Sequence, residues 1–104
     1  MKKILTVFIL SICSLVIFAQ DETTKELETL SDNKQYDKII AQHVPKSKDY
    51  SAKSLYYIGL AYYMKEDDKN CIKFMDLALD KDAKYSAAYF IKASTLYYQE
   101  KYQE

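Results

Sequence analysis

Apolar residues recur along the chain at helical intervals. Cys71, Phe74, Met75, Ala78 and Leu79 follow i, i+3, i+4, i+7 and i+8, one face of a helix, while Lys73, Asp76 and Asp80 turn outward. Upstream, Leu55, Ile58, Gly59 and Tyr62 mark a second helical face. The segment Lys65-Glu66-Asp67-Asp68 between them is short enough to force the two helices antiparallel, and Asp67 or Asp68 can cap the second. After a polar break from Asp82 to Ser86, a third amphipathic segment runs from Ser86 to Gln99. Toward the N-terminus, Glu22 to Leu30 and Tyr36 to Gln42 read as a further helical pair, closed by Pro45.

These patterns repeat. A shift of 34 residues carries Leu55 to Tyr89, Gly59 to Ala93 and Tyr62 to Leu96, so large and small positions recur in step. The same shift carries Tyr56 to Phe90 and Tyr63 to Tyr97. By this spacing Tyr62 and Tyr89 read as core. Gly59 and Ala93 read as the small residues at which two antiparallel helices approach closely.

The repeat resembles the tetratricopeptide family, whose 34-residue helix-turn-helix carries W-x2-L-G-x2-Y, then A-x3-F, then P. Here the pattern reads Leu55, Ile58-Gly59 and Tyr62, then Cys71, Met75 and Ala78, with Ala83 in the place of the proline. A second copy from Ser86 keeps the first helix and Tyr102, but has Lys92 where an aliphatic belongs. The upstream pair is offset by 32 residues and sets Ile39 and Ile40 against Cys71 and Ile72. The resemblance implies an all-α chain of antiparallel hairpins stacked as a short right-handed solenoid. It divides the chain into a degenerate hairpin over 20–51, a repeat over 52–85 and an incomplete repeat, first helix only, over 86–104.

Residues 1–19 stand apart from this pattern. Met1-Lys2-Lys3 followed by apolar Ile4 to Ala19 has the layout of a signal peptide, with cleavage expected after Ala19. Those 16 residues, interrupted only by Thr6, Ser11 and Ser14, would span about 24 Å as a helix, short of the roughly 30 Å of a bilayer core. The alternatives are an uncleaved anchor and lipidation at Cys13, although Ile12 does not fit a lipoprotein signal. Export to the periplasm or beyond is the expectation, with no integral membrane span once the leader is removed.

Composition narrows the chemistry. The whole chain has no net charge and no arginine, and loss of Lys2 and Lys3 leaves about −2. Charges of both signs alternate without a basic stripe, which disfavours nucleic acid and anionic membranes. One glycine and one proline exclude phosphate loops and turn-dense β folds. Once Cys13 is gone, Cys71 has no partner for an internal disulfide, and its place in the repeat is that of a small core residue. His43 is the only histidine, and no paired-cysteine or His-Glu-x-x-His spacing supports a metal. A lone histidine at a helix end commonly interacts with the last carbonyls. Glu66-Asp67-Asp68 lacks the spacing of a calcium loop and reads as a solvated turn and cap. The inventory therefore points away from an enzyme, with no cofactor and no metal.

Eleven tyrosines remain. Tyr56, Leu60 and Tyr63 form one i, i+4, i+7 line; Phe90, Ser94 and Tyr97 form the same line one repeat later. The resemblance implies that the first helix of each hairpin lines a concave groove, which would hold these six residues with Lys53 as its one charge. Tyrosine suits such a surface, offering an apolar face and a polar tip at low entropic cost. The alternative is that these rings pack against neighbouring helices. Asn33 and Asn70 lie outside both lines, which argues against carboxylate clamping.

The expectation is a non-catalytic interaction module of the bacterial cell envelope that binds a protein or peptide through the concave face. The alternative is the sensory front of a longer envelope signalling or assembly protein. Because about three repeats usually make a stable stack, the incomplete repeat also suggests a longer array, or completion by a partner or a second copy.

Overall fold

The computed structural model describes residues 21–103, with side chains through Lys101; the expected leader over 1–19 lies outside the described residues. Among the described residues all regular structure is helical. Helix α1 covers 21–32, followed by α2 (Tyr36–His43), a 3-10 turn (Val44–Lys46), α3 (Ala52–Met64), α4 (Asp68–Lys81) and α5 (Ser86–Gln103).

Local chemistry sets the boundaries. At the start of α3 the Ser51 hydroxyl accepts from the Ser54 amide at 3.3 Å, and at the start of α4 an Asp67 carboxylate oxygen accepts from the Asn70 amide at 3.2 Å. Each satisfies an amide that the first helical turn leaves without a backbone partner. Pro45 sits in the 3-10 turn after α2, where its missing amide costs nothing.

The α1–α2 and α3–α4 turns are built alike. Lys34 (φ 57°) and Glu66 (φ 62°) both adopt the left-handed conformation. In the first turn the amides of Lys34 and Gln35 bond the carbonyls of Ser31 and Leu30; in the second those of Glu66 and Asp67 bond the carbonyls of Tyr63 and Tyr62. This double bonding ends a helix and reverses the chain, in a place that glycine usually fills.

The core runs through all five helices. It takes Leu27 and Leu30 from α1, Ile39 from α2, Leu55, Ile58 and Ala61 from α3, Cys71, Phe74, Met75 and Ala78 from α4, and Ala88 and Ile91 from α5. Each large side chain buried here contributes about 1.5–3 kcal/mol. The closest approach lies between α3 and α4 at Gly59. A Cβ there would stand 2.8 Å from Met75 Cε and 3.3 Å from Phe74 Cβ, so any side chain at this position must displace Met75 and crowd Phe74. Tyr62, one turn on, stacks on Phe74 with centroids 5.7 Å apart.

The α5 face bearing Tyr89, Ala93 and Leu96 corrects the sequence expectation. The 34-residue shift makes Tyr89 a core residue and Ala93 a second close approach, yet all three are exposed. α4 covers the corresponding face of α3, whereas no described element covers this face of α5. α5 packs instead through Ala88, Ile91 and Thr95, and Thr95 Oγ1 lies 3.5 Å from Cys71 Sγ in α4. Lys92, out of place as an aliphatic substitute, reaches back to Asp76 of α4 at 2.6 Å. That half-exposed pair contributes at most about 1 kcal/mol.

Candidate binding surface

The two lines of expected groove residues meet different surroundings. On α3, Lys53 is exposed and Leu60 half-buried, while Tyr56 and Tyr63 are half-buried against the core. Tyr56 meets Tyr57 and Tyr85 edge-on, each with centroids 5.6 Å apart. Desolvation raises the pKa of Tyr56 and of Tyr85, so both hydroxyls stay protonated. Tyr85 lies just before α5, so Tyr56 spends much of its surface on the neighbouring element. On α5, Ser94 is half-buried, but Phe90 and Tyr97 project into solvent at 70% and 60% exposure. Tyr97 rests edge-on against Tyr98, with centroids 5.6 Å apart.

Where α5 runs past the end of α3, a cleft of about 700 Å³ opens. Tyr63, Met64, Glu66 and Asp68 form one wall, and Thr95, Tyr98 and Gln99 form the other. Of the expected residues only Tyr63 lines it. The left-handed Glu66 carries its wall around the α3–α4 turn, and Thr95 is held in place by donating to the Ile91 carbonyl at 2.8 Å. Two aromatic rings, a thioether and two carboxylates, with no cation in the lining, suit an apolar or positively charged side chain. Glu66 and Asp68 read from sequence as a solvated turn and cap, and nothing in their spacing signalled a cleft. Tyr63, expected in the groove, was the one aromatic cue, and Tyr98 was not singled out.

Two titratable side chains outside the cleft, Cys71 and His43, are engaged in packing. Cys71 is fully buried, and desolvation raises its thiol pKa, so it carries no thiolate for nucleophilic attack. His43 is also fully buried at the end of α2, but its ring does not turn to the helix carbonyls. Nδ1 lies 2.8 Å from the Tyr50 hydroxyl, and Nε2 lies 3.5 Å from a Glu26 carboxylate oxygen on α1. Burial, and then Glu26, raise the pKa of Tyr50, so its hydroxyl stays protonated beside Nδ1. For His43 desolvation dominates and lowers the pKa, Glu26 opposes it, and Lys46 adds to the lowering. The imidazole is thereby held neutral, tying α1, α2 and the segment before α3 together.

Among the described residues no group of three His, Cys, Asp or Glu side chains is placed to hold a metal, and no helix is long and apolar enough to cross a membrane. Comparison of the chain with known protein families, curated proteins and solved structures gives no match to any of them.

Proposed function

We propose that the chain is a non-catalytic interaction module of the bacterial cell envelope, a short right-handed stack of tetratricopeptide-type hairpins. It holds a segment of another protein along the side of α3 and α5 that carries the Tyr63 cleft and the Phe90–Tyr97 line. The supporting observation is the juxtaposition of a formed cleft with aromatic side chains left in water beside it: Tyr63 and Tyr98 frame the opening, while Phe90 and Tyr97 project from the same helix as Tyr98. Exposed aromatic rings next to a pocket mark binding surfaces, because burying them in a complex contributes more than leaving them hydrated. The carboxylates of Glu66 and Asp68 favour a partner segment that brings a Lys or Arg among apolar residues.

Panning the purified chain against a random peptide library tests this reading. Selected peptides are expected to be enriched in basic and apolar residues, and to lose at least about tenfold in affinity on the double change Phe90→Ala and Tyr97→Ala. Helicity should be unchanged, because both side chains are exposed. Failure to select any peptide, or selected peptides that bind the variant equally, would overturn it.

A further inference from the structure

The bare face of α5 has the composition of a helix–helix interface. Tyr89, Ala93 and Leu96 follow the i, i+4, i+7 spacing of Leu55, Gly59 and Tyr62, which α4 covers on α3. Leu55 is 2% exposed, whereas its counterpart Tyr89 is 52% exposed and Leu96 is 45% exposed. With Phe90 and Tyr97 at one margin, these side chains leave roughly 450 Å² of mostly apolar surface per molecule in water. That is as large as the largest apolar patch on a typical monomer, and such patches are commonly sites of association.

We propose that this face docks against the same face of a second copy of the chain, with the two α5 helices antiparallel about a two-fold axis at Ala93. The face is self-complementary under that operation. With Ala93 on the axis, each copy's Tyr89 falls opposite Leu96 and Tyr97 of the other, and Phe90 opposite Tyr97, so every large side chain meets another. Ala93 provides a shallow waist through which the two backbones approach, as Gly59 does between α3 and α4.

Charge selects the same alignment. Antiparallel packing sets exposed Glu100 of one copy across from Ser86 and beside exposed Lys84 of the other, at a helix N-terminus where a carboxylate is favoured. Parallel packing would instead set Glu100 against Glu100. Of the further cations on α5, Lys92 is occupied by Asp76 at 2.6 Å, and exposed Lys101 lies one turn beyond Tyr97 at the margin. A two-fold contact of this kind is closed and stops at two copies.

Two such patches bury roughly 900 Å² before the polar margins are counted, toward the low end of specific interfaces at about 1,200 Å². The dimer is accordingly a weak, reversible one. It meets the proposed peptide surface only at the Phe90 and Tyr97 margin, while Ala93 lies outside that surface, so a substitution at Ala93 tests the dimer without altering a peptide contact.

Sedimentation velocity on the purified chain across a wide concentration range tests the proposal. A monomer–dimer equilibrium is expected, and Ala93→Glu should raise its dissociation constant by at least about tenfold, because it brings two carboxylates together on the axis. Ala93 is exposed, so helicity and peptide binding at the Tyr63 cleft should persist in that variant. In a Cys13→Ser background, Ala93→Cys should form an intermolecular disulfide under mild oxidation. Asp80→Cys, exposed on α4, should not, and buried Cys71 does not compete. A chain that stays monomeric at every concentration overturns the proposal and leaves the face to a helix from another protein. A dimer that survives Ala93→Glu, or an Ala93→Cys variant that fails to crosslink, overturns it in favour of another surface.

Discussion

Leu55, Gly59 and Tyr62 on α3, and Tyr89, Ala93 and Leu96 on α5, occupy the same places in segments 34 residues apart, yet the first set lies against α4 and the second stands in water. Periodicity records which residues share a face; burial requires a second element to cover it. The same contrast separates the two aromatic lines, since Tyr56 leans on Tyr85 from the next segment while its counterpart Phe90 meets no such ring among the described residues. Two helical faces of closely similar pattern therefore differ in what covers them, and among the described residues only the α3 face contributes its burial to folding.

The largest expected effect comes from filling the two small positions. Gly59→Leu drives a branched side chain into Met75 and Phe74, where even a Cβ stands 2.8 Å from Met75 Cε. It should destabilise the fold by about 3 kcal/mol or more. Ala93→Leu, at the same register on the bare face, should change stability by less than about 0.5 kcal/mol in dilute solution. Urea denaturation followed by circular dichroism distinguishes the two, and equal losses would mean that the face of α5 is covered after all.

Next come truncations on the two sides of the comparison. Met75→Ala empties a fully buried site between α3 and α4 and should cost about 2–5 kcal/mol. Leu96→Ala removes a half-exposed side chain and should cost well under about 1 kcal/mol at concentrations where the chain is monomeric. A large loss at Leu96 would show that it packs within its own molecule.

The positions of the helices were readable because 3.6-residue periodicity survives wherever one side of a helix is buried. Cys71 to Leu79 places α4, Ser86 starts α5, and Tyr36 to Gln42 falls one residue short of α2. Exposure was less readable. Tyr89 has the spacing of a core residue, and spacing does not say whether a second element covers the face. The cleft was hidden for a related reason, since it arises where α5 overshoots α3 and joins Tyr63 to Glu66 and Tyr98. Local propensity says nothing of such an overlap. Nor did residue type signal the left-handed Lys34 and Glu66, positions where glycine would have announced a turn. The fate of His43 depended on Tyr50 and Glu26, which come from separate segments.

A smaller effect probes burial at the other end of the stack through pH. Desolvation sets the folded-state pKa of His43 below the ordinary 6.5, so the folded chain binds this proton less readily than the unfolded chain. The resulting stabilisation is fully present above pH about 6.5 and is lost as pH falls through the folded-state value. One proton gives a slope of at most about 1.4 kcal/mol per pH unit. His43→Phe should remove that segment of the stability profile while lowering the plateau through loss of the Tyr50 hydrogen bond. An unchanged acid slope in the variant would assign the proton to another group.

The smallest expected effect concerns the turns that return a covering helix onto its partner. Lys34 and Glu66 hold φ near 60°, where a Cβ crowds the neighbouring carbonyl and glycine does not. Replacing either by glycine should relieve that crowding while adding freedom to the unfolded chain, for a net gain of about 0.5–1 kcal/mol. The two sites close separate hairpins, so the gains should add in the double variant. Glu66→Gly also removes a carboxylate from the cleft wall, whereas Lys34→Gly leaves the cleft untouched. Peptides carrying a basic residue should therefore weaken against the Glu66 variant alone, while both variants melt higher than the parent. Should Glu66→Gly melt lower, the side chain would be contributing more to the turn than its backbone conformation costs, and the likeness of the two turns would end at their hydrogen bonds.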